Sequence, residues 1–166
     1  CPACGYWART VEPDLVEEYV RTGKVRLIYR DFAFIDGGSR NGESQQSAAA
    51  ARCAGDQGKY WQFHDYLMEN QDGENEGAFA RPTLDLIAST IGLDMDAFDA
   101  CLASDPPFDA VRAETEAGRQ AGVASTPTLA VDGVLQKAGA LAMTDLRPIL
   151  DAALAGTSPA TPTPAP

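Results

Sequence analysis

The sequence predicts an α/β fold in which strands and helices from the two ends of the chain enclose a helical block. Three observations predict it. Residues 24–34 form a β-branched and aromatic run (KVRLIYRDFAF), residues 43–122 are helical in pattern throughout, and strand character returns on either side of Asp132-Gly133. With 166 residues, 45% of them hydrophobic, the chain is long enough to bury a real core.

The elements follow in order. Residues 2–22 read as a helix: Cys1 sits at the cap, Pro2 suits the first helical position, and Leu15, Val16, Tyr19 and Val20 make an apolar stripe. Pro13 is expected to kink it. Thr22-Gly23 stops it before the buried strand at 24–34, and residues 36–42 are loop. Helices are then expected at 45–54 (Ala-rich), 59–70, 82–91, 94–103 with Asp94 as cap, and 108–121 after the Pro106-Pro107 break. In the second of these, Tyr60, Trp61, Phe63 and Tyr66 read as core. Strands at 128–131 and 134–137 flank a dipeptide that favours a tight hairpin turn. A last helix over 143–155 is capped near Thr144, and the remaining Thr, Pro, Ala and Ser residues predict a disordered tail or linker.

Charge and composition exclude some functions. Asp and Glu number 24 against 13 Lys and Arg, a formal net charge of -11. Such a surface repels phosphate backbones and anionic headgroups, so nucleic-acid binding is not expected. No stretch reaches the roughly 18 apolar residues of a membrane span. The even set of four cysteines (Cys1, Cys4, Cys53 and Cys101) suits an oxidising compartment.

The sharpest motif is Cys1-Pro2-Ala3-Cys4. Cysteines at i and i+3 of a helix start share one face at a separation that a disulfide can bridge. Unpaired first-turn N–H groups and the helix dipole favour a thiolate at Cys1, making it a nucleophile and a good leaving group. Ala3 adds no charge. A c-type haem site would need His after the second cysteine, where Gly5 stands. A zinc site would want a second close Cys or His pair, which Cys53, Cys101 and His64 do not form, so no metal or cofactor is expected. Thr126-Pro127 is the second motif. A cis bond there would turn the chain sharply into the hairpin and expose the Thr126 backbone to an extended peptide held beside Cys1; an ordinary trans proline at a strand start is the alternative. His64, the single histidine, reads as a packing residue. Tyr6 and Trp7 could line a groove, although burial under the helix suits both.

These stretches together resemble the DsbA-like thiol–disulfide oxidoreductases of the thioredoxin superfamily. The resemblance is carried by Cys1-Pro2-Ala3-Cys4, Tyr29-Arg30-Asp31-Phe32, the run from Gly58 to Asp65, Phe98-Asp99-Ala100-Cys101-Leu102, and Gly122-Val123-Ala124-Ser125-Thr126-Pro127-Thr128. It implies a thioredoxin-like domain made of residues 1–34 and 122–155, a helical insertion at 35–121 and a tail at 156–166. The first strand of the sheet, and the acidic proton-transfer residue relatives carry on it, are expected upstream of Cys1. The resemblance further implies that Cys1 attacks, Cys4 resolves, and Pro2, Ala3, Thr126 and Pro127 touch substrate. Because related proteins often join cysteines placed like Cys53 and Cys101, it implies a structural disulfide there; the residues alone leave two buried thiols open. Closing that loop would stabilise by roughly 4 kcal/mol on a chain-entropy treatment.

The implied activity is oxidation of cysteines in exported proteins, in a periplasmic or other extracytoplasmic location, with membrane tethering allowed by the tail. The implied partners are cysteine-containing polypeptides and a quinone-linked membrane oxidase of the DsbB or VKOR type, with the protein itself a monomer. Reductase or isomerase activity uses the same residues. A non-catalytic thioredoxin-like module of a larger assembly, or a metal carrier using Cys1 and Cys4, are the other readings.

Overall fold

The computed structural model describes residues 1–156; apart from Gly156, the tail expected over 156–166 lies outside the described residues. The helix expected over 2–22 is in three pieces: α1 (Pro2–Thr10), α2 (Glu12–Leu15) and a wide π turn, Val16–Val20. Pro13 has no N–H to give the carbonyl one turn back, and the break falls at Val11, at φ -119° and ψ -45°. Trp7, Val11, Leu15 and Tyr19, spaced by four, still share a buried face. The Trp7 indole donates to Leu141 O at 3.1 Å and the Tyr19 hydroxyl to Asp151 Oδ1 at 2.8 Å, so this face is tied to the C-terminal part of the chain.

The strand expected at 24–34 is not one. Its burial has the period of a strand, with Val25, Leu27, Tyr29, Asp31 and Ala33 inward and Arg26, Ile28 and Arg30 outward. Pairing, however, defines a strand, and among the described residues no neighbour pairs with it. Side chains of the helical block take the place of a ladder at one end: Glu114 accepts from Asp31 N at 2.8 Å and Thr115 Oγ1 from Ala33 N at 3.0 Å. The sheet of the described residues is one antiparallel hairpin, β1 (Ala130–Val131) with β2 (Val134–Leu135), registered Ala130 to Leu135. Asp132 (φ 49°) and Gly133 (φ 81°) supply the two positive φ angles of a tight turn. Val25 and Leu27 pack with Leu129 and Val131 on the same core as Trp7, Leu15 and the last helix.

The helical block comprises α3 (Glu43–Asp56), α4 (Tyr60–Glu69), α5 (Arg81–Thr90), α6 (Met95–Ala103) and α7 (Pro106–Gln120). Ala49, Ala50 and Ala54 of α3 are fully buried, and their small side chains let its neighbours approach; Phe63, Leu84, Phe98 and Phe108 fill the space around them. Pro106 and Pro107 open α7 rather than merely breaking the chain, since the first N–H groups of a helix have no helical partner. In α4 only positions 63, 64 and 67 face fully inward, with Tyr60 half-buried; Trp61 and Tyr66, expected in the core, lie off that stripe and are 40% and 38% exposed. Arg52 joins the block to the extended run, pairing with Asp31 at 2.5 Å and Glu114 at 2.8 Å. Cys53 of α3 is bonded to Cys101 of α6, with Cα atoms 5.8 Å apart. The last helix, α8 (Met143–Leu154), is preceded by Ala142 without a side-chain cap, so Thr144 does not have the capping role expected of it.

Candidate active site

The start of α1 places both N-terminal sulfurs. Cys1 is the N-cap, and its carbonyl accepts from Cys4 N at 3.1 Å and Gly5 N at 3.2 Å, closing a first turn that holds Cys1 and Cys4 together. Both thiols are free and half-buried, and Pro2 and Ala3 between them are exposed. The Thr126-Pro127 bond is cis. It brings the Thr126 carbonyl to the Cys1 thiol, which donates to it across 3.5 Å. The turn is held by Gly139 N, which donates to Pro127 O at 3.0 Å, and by Thr128 Oγ1, which donates to Ser125 O at 2.7 Å. The Trp7–Leu141 bond fixes α1 against the segment that follows the hairpin, so one packing arrangement sets both halves of the site.

The two sulfurs differ in surroundings. Burial pushes the Cys4 thiol up from its ordinary value; the adjoining Thr126 side chain and the terminal amino group draw it down, and Glu74 adds to the rise. The Thr126 hydroxyl is close enough to affect Cys4, yet it is buried without a hydrogen bond of good geometry. Tyr29 stands behind Cys4. Burial raises its hydroxyl, with Cys4 among the neighbouring groups that add to the effect. Its ring meets His64 edge-on at 4.5 Å.

His64 is 2% exposed and set among Tyr29, Tyr60 and Trp61. Burial lowers its pKa, partly offset by Asp65, whose Oδ1 is 3.1 Å from Nδ1. This is a packing environment. Trp7 is buried as expected, whereas Tyr6, beside Cys4, is 58% exposed. Cys53 and Cys101 belong to the helical core and not to this site.

Sequence reasoning missed three polar residues near this region: Gln71, Glu74 and Glu12. The only available signal for the first was a glycine directly after the second cysteine, against which the Gln71 side chain lies. Glu12 is 8% exposed on α2, and burial, reinforced by Asp65, pushes its carboxyl up to about 7. An unfolded glutamate titrates near 4.3. Between these values the folded chain holds a proton that the unfolded chain has lost, so the contribution to stability is full below about pH 4 and falls as pH rises through about 7. Glu12→Gln should therefore stabilise the protein at pH 8 by on the order of 3 kcal/mol and change little at pH 4. Denaturant midpoints at the two pH values check this; equal effects of the substitution at both would exclude it.

A family profile described as thioredoxin matches residues 1–152. The chain is 31% identical over 137 residues to "Probable disulfide bond formation protein D" of Bacillus anthracis, a match covering 81% of this chain and 62% of that protein. It is 29% identical over 135 residues to "Putative protein-disulfide oxidoreductase RT0103" of Rickettsia typhi, covering 81% of this chain and 48% of that one. The chain thus spans about half the length of the rickettsial relatives it matches. In fold it is similar to oxidised BdbD from Bacillus subtilis, with a TM-score of 0.81 at 18% identity over 94% of this chain and 83% of that one.

Proposed function

We propose, from the premise that this chain belongs to the thioredoxin family, that it is a protein disulfide oxidoreductase working through Cys1 and Cys4. The observation that carries the reading is the Cys1 thiol at a helix N-terminus, 3.5 Å from the carbonyl that precedes a cis proline. A substrate thiolate attacks the Cys1 sulfur of the Cys1–Cys4 disulfide, and Cys4 leaves as a thiolate and takes up a proton. The substrate's second thiolate then attacks the substrate sulfur of the mixed disulfide and expels Cys1. The substrate is oxidised by two electrons and the protein is left as a dithiol. Pro2 and Ala3, exposed between the cysteines, and the Thr126 backbone beside Cys1 form the surface on which an extended peptide would lie.

The substrates on this reading are cysteine-containing polypeptides outside the cytoplasm, and a DsbB- or VKOR-type membrane oxidase restores the disulfide of a monomeric enzyme. Among the described residues no helix is long and apolar enough to cross a membrane. We read residues 35–121 as the inserted helical unit, supported by its own buried core, separate from that beneath α1. The test is oxidation of a reduced two-cysteine peptide by the oxidised protein, followed by mass, with Cys1→Ala as control. Stoichiometric peptide disulfide formed only with Cys1 present is expected; equal rates with and without Cys1 would sink the proposal.

A further inference from the structure

Hydrogen bonds close two segments, far apart in sequence, into one circuit at the exchange site. From α1, the Trp7 indole donates to Leu141 O at 3.1 Å. Leu141 N donates to Gly139 O at 2.9 Å, and Gly139 N donates to Pro127 O at 3.0 Å. The residue before Pro127 is Thr126, whose carbonyl accepts from the Cys1 thiol at 3.5 Å. Cys1 in turn caps the helix that carries Trp7. The segment after β2 makes this return possible. Gln136 N donates to Leu129 O at 2.8 Å, prolonging the hairpin towards the turn, where Gly139 meets Pro127. Gly139 holds φ at 106°, a conformation that L side chains rarely adopt, although a Cβ there would meet open space among the described residues. Trp7 is 7% exposed in the core with Leu15, Met143 and Leu146, so packing fixes the direction of its N–H.

We propose that Trp7 is a positioning residue of the exchange site: its indole N–H, acting through Leu141 and Gly139, holds the Thr126-Pro127 turn where the Thr126 backbone can pair with a substrate peptide while Cys1 exchanges with that peptide's cysteine. The inference rests on the exchange reading proposed above. The sulfur chemistry itself needs Cys1 and Cys4. Holding an extended peptide needs, in addition, the Thr126 backbone at a fixed distance from Cys1. A loosened turn therefore costs a peptide, which pairs along its backbone, more than it costs a small thiol, which has none. The circuit thus favours polypeptides over small thiols as partners of Cys1.

The test is single-turnover reduction of the oxidised protein by a reduced two-cysteine peptide and, separately, by dithiothreitol, read by acid quench and mass. Each reductant attacks the Cys1 sulfur, gives up two electrons and two protons, and leaves as its own disulfide, with the protein left as a dithiol. Trp7→Phe keeps an aromatic ring in the core and removes the N–H, whereas Gly139→Ala disturbs the same circuit from its other end. Each should lower the ratio of the peptide to the dithiothreitol rate constant about three- to tenfold, the loss appearing as a higher half-saturating peptide concentration. The double variant should lose little more than either single one, because both act through one turn. A ratio equal to wild type in both single variants, or an equal fall with both reductants, would overturn the positioning role and leave the exchange reading intact. Should Trp7→Phe fail to fold, the ratio in Gly139→Ala decides in the same way. A wild-type protein that oxidises neither reductant would overturn both readings.

Discussion

Cys1→Ala should lower disulfide exchange with a peptide substrate by about three orders of magnitude, whereas Cys4→Ala should still react once and then accumulate a stable mixed disulfide. The asymmetry follows from position. Cys1 caps α1, where first-turn N–H groups and the helix dipole favour a thiolate, and its sulfur faces the Thr126 carbonyl at the cis proline. Cys4 lies one turn in, with its thiol pushed up by burial. Removing Cys1 takes away the sulfur attacked by substrate. Removing Cys4 takes away only the intramolecular escape, so a disulfide-bearing peptide attacked by Cys1 remains attached. Mass analysis of the acid-quenched reaction separates these outcomes: an adduct on Cys4→Ala and none on Cys1→Ala. Equal adduct formation by both variants would mean that the sulfurs are interchangeable and that the helix cap does not choose between them.

What could be read in the sequence divides along a physical line. Features set within a few residues were legible. The Cys1-Pro2-Ala3-Cys4 start of α1, the Asp132-Gly133 turn and the Asp94 cap, whose Oδ1 accepts from Ala97 N, depend on local backbone chemistry. The extended character of residues 24–34 was also legible from their β-branched and aromatic side chains, but whether an extended run becomes a strand depends on a partner elsewhere, which no window of sequence contains. The aromatic residues of α4 show a related limit. Their number marks a buried helix, yet a rotation of 100° per residue decides that Phe63 goes in and Trp61 stays out. Least legible were Glu12, Gln71 and Glu74, because their surroundings arise from the packing of separate segments. Gly5 was visible after the second cysteine, but the approach of the Gln71 side chain to it, from more than sixty residues away, appears only in the fold.

The Cys53→Ala/Cys101→Ala double variant should lose about 4 kcal/mol of folding stability, on the chain-entropy treatment of a loop closed over 48 residues. Without the bond the unfolded chain regains the freedom that the cross-link removed, and the native helices must order without that help. Cys53 is 1% exposed amid Ala49, Ala50, Phe63 and Phe98, so its replacement also removes packed volume. Comparison with reduced wild type separates the two contributions, because reduction breaks the cross-link and keeps both sulfurs. The loss should appear in guanidinium midpoints together with a larger denaturant slope, since an uncross-linked chain exposes more surface. Exchange through Cys1 should change by less than about twofold at temperatures where the variant is folded, because α1 and the hairpin pack on a different core. A stability loss under about 1 kcal/mol would show that helix packing alone fixes α3 against α6 and that the bond adds little to it.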